Sequence, residues 1–383
     1  MRITETHRLS SRRAGWGDAV ASQMYTDRLR VYRKNIAQLI GSKTAVARFN
    51  SVQDLETRRF LLRVLDKPED LVQHIRTNAG AIILKITYGY TVEPHKQDPL
   101  VELADRALFQ FSLATVPGAW MVDIFPFLKF LPDWFPGTSF KKTAREWRQT
   151  VTDMADKPYE FTVSSLACFF LAMTIYPEVQ RKAQAELDQV VGTDRLPGHE
   201  DRQRLPYVNA IVKEVFRWHP IGPMGIPHTS TVDDVVGGYF IPKGAMVIPN
   251  IWWITHDPET YEDPMSFEPE RFLDLNGHVP ELDPHAVVFG YGRRVCPGRV
   301  LADSSLFLTI AKALAVFDIT KPVEHGQEIT PEVDFTAGII SHPLPFKATI
   351  KARSPKHEAM IRSVENEHPW DDTDSKLFAS MEV

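Results

Sequence analysis

One cysteine in the sequence stands where a metal ligand or a nucleophile would be placed. Cys296 lies in the run 289–298, Phe-Gly-Tyr-Gly-Arg-Arg-Val-Cys-Pro-Gly, and an apolar helical pattern follows it over 300–317. A thiol at a helix start gains from the helix dipole, and Arg293 and Arg294 add positive charge. The pattern predicts a thiolate that is held deprotonated. The alternative is a buried, inert cysteine in the turn before a helix.

The neighbours of Cys296 favour a metal ligand that faces a large planar anion. Gly292 and Gly298 have no Cβ, so the backbone can bend sharply and a flat partner can approach closely. Arg294 can pair with an anionic group on that partner, and Phe289 can shield the sulfur from water. Haem fits this description, because an axial cysteine thiolate pushes electron density onto the iron.

The spacing F-x-x-G-x-R-x-C-x-G resembles the haem-binding loop of the cytochrome P-450 family, the haem-thiolate monooxygenases. The fixed positions of that loop are present as Phe289, Gly292, Arg294, Cys296 and Gly298. The resemblance implies that Cys296 is the ligand of a haem iron. It also implies a mainly α fold with small β-sheets, an α+β arrangement that is incomplete here. The C-terminal half is most similar to the fungal branch of secondary metabolism.

A second resemblance concerns an acid and two arginines. Glu214 and Arg217 are three residues apart on a predicted helix, and Arg271 follows in the run Pro-Glu-Arg-Phe. In the family, an E-x-x-R pair joins an arginine of a later P-E-R-F segment. The resemblance implies that the trio forms a buried, hydrogen-bonded charge cluster beneath the haem.

Two more matches concern haem propionates, which are carboxylates that need cations or donors. Arg33 keeps the arginine of a family W-x-x-x-R motif, although Leu29 replaces the tryptophan and its N–H donor. His228 lies where family members place a propionate-binding arginine or histidine. The alternative for His228 is a loop histidine without a ligand.

The resemblance also implies a partner, because family members receive electrons from an NADPH-dependent reductase that docks on the cysteine side. Five further basic residues either extend that docking face or are ordinary surface charge: Arg28, Arg30, Lys34, Arg293 and Arg299. The net charge of −5 argues against a nucleic-acid partner.

Composition and the number of cysteines limit the possible classes of protein. The chain has 383 residues, of which 43% are hydrophobic and 24% charged, as in ordinary globular proteins. Its two cysteines, Cys168 and Cys296, exclude a disulfide scaffold and a four-cysteine zinc site. They fit a reducing, cytosol-facing location. Cys168 lies in an apolar helical run and is interpreted as a small packed hydrophobe.

Membrane signals are weak. The segment 1–19 is polar, without a signal-peptide pattern, and no apolar run is long enough to span a bilayer, so no transmembrane anchor is predicted. The aromatic stretch 107–135 fits either peripheral contact with a membrane such as the endoplasmic reticulum, or core packing between short helices.

Periodicity gives the coarse organisation. It predicts helices over 25–40, 52–65, 68–88, 177–191 and 205–218. It also predicts two short strands, 239–241 and 246–248, around a Pro-Lys-Gly turn. The haem domain is expected over 20–352. The segment 353–383 is polar and acidic, and we expect a disordered tail.

Two aliphatic segments, 221–226 and 337–342, match family regions that line the substrate pocket. Their composition implies a hydrophobic small-molecule substrate. Together with the similarity to the fungal branch, it implies oxidation of a terpenoid or polyketide.

The residues expected on the distal side of the haem, opposite the cysteine, depart from the family pattern. The motif [AG]-G-x-[DE]-T, whose acid and alcohol relay protons during oxygen activation, does not occur in this sequence. We interpret this as an internal deletion near 160–163. Glu160 then falls near the acid position, whereas Phe161 replaces the alcohol and cannot relay a proton.

Three functions follow for this chain. The first is a haem-dependent monooxygenase that inserts one oxygen atom from O₂ into a hydrophobic small molecule, and for it the missing motif predicts poor haem binding or impaired oxygen activation. The second is a degenerate family member that binds haem or a partner without oxygenating anything. The third is a non-haem binding protein, which requires the proximal motifs to be accidental.

Overall fold

A computed structural model describes residues 3–5, 14–16, 20, 23, 25–94, 96–114, 119–153, 160–275, 277–370 and 373–375. Helices dominate these residues, and the strands form small antiparallel sheets. The predicted fold class, mainly α with small β-sheets, is therefore confirmed.

The helices before the central one come from the first 153 residues. They are α1 (Asp27–Ile40), α2 (Lys43–Ala47), α3 (Asn50–Asp66), α4 (Leu71–Tyr88), α5 (Pro99–Ala114), α6 (Met121–Ile124) and α7 (Phe140–Asp153). Short 3₁₀ turns lie at Pro68–Asp70 and Pro126–Phe130. The predicted helices over 25–40, 52–65 and 68–88 match α1, α3 and α4.

The remaining helices surround the candidate site. They are α8 (Glu160–Ile175), α9 (Pro177–Val190), α10 (Pro206–Trp218), α11 (Ile251–Thr255), α12 (Arg299–Val316) and α13 (Pro355–Glu367). Proline opens α9 and α10 at a position where no backbone donor is lost. These two helices match the predictions over 177–191 and 205–218.

The strands are short and pair antiparallel. They are β1 (Ile3–Glu5), β2 (His228–Ser230), β3 (Asp234–Val236), β4 (Tyr239–Ile241), β5 (Met246–Val247), β6 (Phe317–Thr320), β7 (Val323–Glu324), β8 (Gln327–Glu328) and β9 (Thr349–Ala352). One sheet has the order β1-β2-β5, and β3-β4, β6-β9 and β7-β8 form pairs. In the first sheet His228 is opposite Val247.

The core is built around α8, which packs against α4 and α12. The residues of α8 from Val163 to Met173 are all buried, so this helix is enclosed on every side. Cys168 is 0% exposed, and burial raises the pKa of its thiol. The interpretation of Cys168 as a packed small residue is confirmed.

The prediction of a disordered tail is wrong for Pro355–Glu367. This segment forms α13, which packs on α3, and its Ile361 and Val364 are each 1% exposed. Arg58 on α3 donates to Glu367 over 2.8 Å. The polar composition belongs to the outer face of an amphipathic helix, whose larger apolar residues, Met360, Ile361 and Val364, pack against the core.

The aromatic stretch 107–135 contains side chains that are not packed in the core. Among the described residues, six aromatic side chains of this stretch are 41–81% exposed: Phe109, Phe125, Phe127, Phe130, Trp134 and Phe135. We call the last five, which lie between 125 and 135, the aromatic ledge. No single helix in the described chain has the length and hydropathy to cross a membrane; one pair bent by 104°, Val163–Ile175 with Pro177–Val190, passes by length and composition only.

Candidate functional site

The cysteine loop is a tight backbone turn immediately before α12. The amide of Cys296 donates to the carbonyl of Phe289 over 2.7 Å, and this bond closes the loop. Gly292 has φ of 53°, a left-handed conformation that an L side chain adopts with strain. The predicted bend at Gly292 is therefore present.

Gly298 serves a different purpose from the predicted bend. It is the N-cap of α12 with φ of −87°, an ordinary value for any residue. A Cβ built on Gly298 would lie 4.0 Å from the sulfur of Cys296. Glycine here keeps the space beside the sulfur clear.

The neighbouring charges predict a lowered pKa for the thiol of Cys296, whereas in the haem-free protein its pKa is raised. Burial raises the pKa of the thiol above its ordinary value. Hydrogen bonds from the backbone N–H groups of Gly298 and Arg299, and the charges of Arg33 and Arg299, lower it by less. The thiol therefore carries its proton near neutral pH, and a metal ion that binds the sulfur must displace that proton.

The residues predicted to hold propionates gather around the loop. Arg33 on α1 donates through Nη2 to the carbonyl of Val295 over 2.7 Å. Arg294 donates through Nη2 to the carbonyl of Gln23 over 2.6 Å. Burial and the charge of Arg294 lower the pKa of His228 on β2, which places these two side chains close together.

Phe289 packs away from solvent on neighbouring rings. Its centroid lies 5.2 Å from that of Phe216 on α10 and 5.7 Å from that of His285. The loop is thereby fixed to α10, the helix that carries the acid–arginine pair.

The predicted charge cluster is formed as the resemblance implies. Arg217 donates to both carboxylate oxygens of Glu214, over 2.7 and 2.8 Å, and Arg271 reaches Glu214 over 3.3 Å. Arg217 also donates to backbone carbonyls of Thr255, Pro264 and Ser266. Glu214 and Arg217 are 0% exposed, and Arg271 is 3% exposed. The cluster ties α10 to the segment that leads into the cysteine loop.

Glu214→Gln is expected to lower the free energy of unfolding by about 3–5 kcal/mol, because two buried guanidinium groups lose their shared carboxylate. Urea unfolding followed by circular dichroism measures the loss. The matched control is Glu358→Gln on α13, which breaks a half-exposed pair with Arg362 and is expected to cost about 0.5 kcal/mol or less. Equal losses in the two variants would contradict a buried charge cluster.

Two of the basic residues beside the loop share one face. The guanidinium of Arg293 lies 4.5 Å from the ring centroid of Tyr25, and that of Arg30 lies 5.2 Å from the same ring. Arg30 also pairs with Asp27 over 2.8 Å, and Lys34 is exposed. Part of the predicted basic face is thus assembled at the cysteine side.

The two predicted pocket segments meet. The amide of Ser341 donates to the carbonyl of Ile221 over 2.8 Å. Ser164 on α8 donates to the carbonyl of Ser341 over 2.6 Å, and the hydroxyl of Ser341 is 2.9 Å from Nε2 of His219. His219 stacks on Phe335 with centroids 3.5 Å apart. The segments 221–226 and 337–342 therefore meet next to α8.

The distal candidate has no described side chain. Glu160 is the first residue of α8, and the side chains of 151–162, including those of Glu160 and Phe161, lie outside the described residues. Its role as an acid stays a prediction.

The sequence did not point to His285, which lies between two carboxylates next to the loop. Its only sequence signal is the Asp-x-His spacing, which many surface turns share.

Comparison with known proteins identifies the family. A sequence model described as Cytochrome P450 matches residues 138–350, more than half of the chain. The chain is 47% identical to the cytochrome P450 monooxygenase claR of Ampulloclitocybe clavipes, over 94% of this chain and 76% of that protein. It is 42% identical to the O-methylsterigmatocystin oxidoreductase of Aspergillus flavus, over 94% and 77% of the two chains. The chain belongs to the cytochrome P450 family.

Membership defines the chemistry in general terms. The protein is an oxidoreductase of the monooxygenase class, and its cofactor is haem held by a cysteine thiolate. Family members take electrons from a reductase and act on hydrophobic substrates. The resemblance to fungal monooxygenases of secondary metabolism is confirmed, and the relatives give no support to the alternative of a member that oxygenates nothing.

The residues around Cys296 fit a haem that carries carboxylate groups. Nδ1 of His228 is buried and has no hydrogen-bond partner among the described residues, so it is available to a propionate oxygen. In the described part of the chain no group of three or more His, Cys, Asp or Glu side chains is arranged to hold a metal ion. A haem iron needs only one such ligand from the protein on this side. When bound, the haem supplies the oxygen chemistry that a thiolate ligand favours.

Proposed function

We propose that this chain inserts one oxygen atom from O₂ into a hydrophobic small molecule of terpenoid or polyketide type, in secondary-metabolite biosynthesis. The observation that carries the proposal is the closed cysteine loop, in which the sulfur of Cys296 accepts N–H donors from Gly298 and Arg299. Such donors hold a sulfur in place and moderate its charge. The proposed haem domain spans 20–352, and the family match that ends at 350 supports its C-terminal boundary.

Each residue around the loop has a proposed task. Cys296 binds the iron, and Gly298 leaves room beside its sulfur. Arg33, Arg294 and His228 orient the haem by holding its propionates. Phe289 keeps water from the sulfur side by packing on Phe216.

The proposed substrate class follows from the contact between 221–226 and 337–342. Their aliphatic side chains favour an apolar molecule, since a pocket binds such a molecule by removing its surface from water. The relative from Aspergillus flavus is named for O-methylsterigmatocystin. That name supports a hydrophobic fungal metabolite for this chain as well.

The proposed electron donor is an NADPH-dependent reductase that docks on the basic face near the cysteine loop. Arg30 and Arg293, which flank Tyr25, present positive charge there. Charges of one sign on a rim steer a partner of the opposite sign and raise the association rate.

Titration of the purified, haem-free protein with haem tests the proposed function. We expect saturation at one haem per chain, and a ferrous–carbon monoxide complex with the red-shifted Soret band of a thiolate ligand. A complex with an unshifted band would contradict Cys296 as the ligand. No uptake of haem would contradict the function as a whole.

We further propose that the aromatic ledge contacts a membrane surface, at a cytosol-facing location on the endoplasmic reticulum. Trp134 and Phe130 are 81% and 79% exposed, and Lys129 lies 4.7 Å from the ring of Phe130. Exposed aromatic rings beside cations are typical of a surface that enters the headgroup region. The free state of both cysteines supports a reducing, cytosol-facing location.

Co-sedimentation with anionic phospholipid vesicles tests the ledge. Phe130→Ser and Trp134→Ser are each expected to weaken binding roughly tenfold, since burying one such ring contributes about 1.5–3 kcal/mol. Matched controls are Val279→Ser and Val323→Ser, which remove apolar side chains that are 81% and 63% exposed elsewhere. Equal binding by all four variants and the unchanged chain would contradict membrane contact through the ledge.

A further inference from the structure

An imidazole lies between two carboxylates beside the cysteine loop. Nδ1 of His285 is 2.7 Å from Oδ1 of Asp283, and Nε2 is 3.1 Å from Oδ1 of Asp303. Ionised carboxylates only accept hydrogen bonds, so both ring nitrogens must carry a proton. The geometry therefore requires the charged imidazolium form of His285.

The two carboxylates are themselves fixed by cations. Arg202 donates to both oxygens of Asp303, over 2.7 and 2.8 Å, and Lys213 lies 2.9 Å from Asp283. Burial raises the pKa of Asp303, but the bonds from His285 and Arg202 outweigh it and bring the pKa to about 2. Burial raises the pKa of Asp283 too, but the bonds from His285 and Lys213 lower it more. Both acids are therefore ionised near neutral pH, and they hold the proton on His285.

The hydrogen-bonded bridge of Asp283, His285 and Asp303 connects segments on both sides of the cysteine loop. Asp283 and His285 precede the cysteine loop, whereas Asp303 lies in the first turns of α12, which leaves the loop. The imidazolium thus joins the two ends of the loop. Its ring also contacts Phe216, with centroids 5.1 Å apart, and Phe289, whose carbonyl accepts the amide of Cys296.

We propose that His285 is a positioning residue whose imidazolium clamps the entry and exit of the cysteine loop, holding Cys296 toward the haem and releasing it when the ring loses its proton. This proposal rests on the proposed function, in which Cys296 binds the iron. His285 acts through the loop and does not touch the haem or the substrate.

The pH range of the clamp follows from the sign of the shift. Burial lowers the pKa of His285, but the bonds to Asp283 and Asp303 raise it more, from the ordinary 6.5 to about 9. A pKa raised by folding stabilises the folded loop fully below about pH 6.5, and the stabilisation is lost as pH rises through about 9. The groups that face the ring are Asp283, Asp303 and, behind them, Arg202 and Lys213.

The ferrous–carbon monoxide spectrum of the haem-loaded protein, recorded as a function of pH, tests the clamp. The unchanged chain is expected to lose its red-shifted Soret band as pH rises through about 9. His285→Gln has no positive charge, and the two donors of its amide share one nitrogen instead of facing the two acids from opposite sides of a ring. Much of the band is therefore lost already at neutral pH, and no alkaline step remains. His285→Lys keeps the positive charge and moves the alkaline step to higher pH.

A haem-free readout makes the test independent of haem uptake. The chain has two cysteines and Cys168 is 0% exposed, so a maleimide labels Cys296 first. At one fixed neutral pH, His285→Gln is expected to label at least about tenfold faster than the unchanged chain, because the opened loop exposes the thiol. Asp188→Asn serves as the control, since it weakens a bidentate pair with Arg353 on another part of the molecule.

The outcomes separate the two proposals. Unchanged band and labelling rate in His285→Gln, at every pH, would overturn the clamp. Equal acceleration in Asp188→Asn would overturn it too, by showing general loosening. Failure of the unchanged chain to bind haem would count against the proposed function, while the labelling rates still decide the clamp.

Discussion

Cys296→Ala is expected to abolish the red-shifted Soret band of the ferrous–carbon monoxide complex completely. Alanine offers no donor atom to the iron, and the only other thiol of the chain, Cys168, is enclosed within α8. Haem that binds the variant lacks its iron ligand and keeps only the proposed propionate contacts of Arg33, Arg294 and His228. We therefore expect weaker haem retention together with an unshifted band, both measured on the same sample by spectroscopy and gel filtration.

The matched control is Cys168→Ala, which removes the other thiol. It deletes one buried sulfur and is expected to cost stability at the level of a small core cavity, with the band position unchanged. A band that persists in Cys296→Ala but vanishes in Cys168→Ala would place the iron ligand on α8 and would reject the assignment of the cysteine loop.

Motifs with short, fixed spacing could be predicted from the sequence. Glu214 and Arg217 lie on one helix face by their spacing alone, the resemblance implied Arg271 as their partner, and the structure shows both contacts. The sequence could not show that Glu281 completes the cluster, 2.7 Å from Arg271, because that contact depends on the path of an irregular loop. Local geometry was predictable, whereas contacts made by loops were not.

The pKa of Cys296 shows why the charges next to a residue in sequence do not predict its protonation. The two arginines next to it in sequence were expected to hold a thiolate, yet Arg293 stacks on Tyr25. The charges that act on the sulfur come from Arg33, which is distant in sequence, and from Arg299, and burial outweighs them. Burial depends on tertiary structure, which the residues of one segment do not report.

The C-terminal helix α13 was overlooked for a related reason. Its average composition is polar, and average composition predicted disorder. The information lay in the spacing of Met360, Ile361 and Val364, which places apolar side chains on one face against α3. Periodicity therefore outweighs composition even in a short acidic segment.

The relatives contain residues that this chain lacks. The alignments with the first relatives span 407 and 420 positions, although the chain has 383 residues. We propose that part of the difference lies before Thr162, where the acid and alcohol of the distal motif are absent from the sequence. Without them proton delivery on the distal side is expected to be impaired, so that much of the reductant is consumed without product.

Restoring that segment is expected to raise the rate of product formation by about 10²- to 10⁴-fold, the usual contribution of a positioned acid–base group, and to raise the fraction of reductant that ends in product. The restored variant carries the segment of a relative, with its acid and threonine, inserted before Thr162. The control carries an insertion of equal length with glutamine and valine at those two positions. It repairs the length of α8 without the relay, so only the first variant should gain activity. Product formation by the unchanged chain at the restored variant's rate would show that the distal acid and alcohol are dispensable here, and that another group, with Glu160 the first to test, delivers the protons.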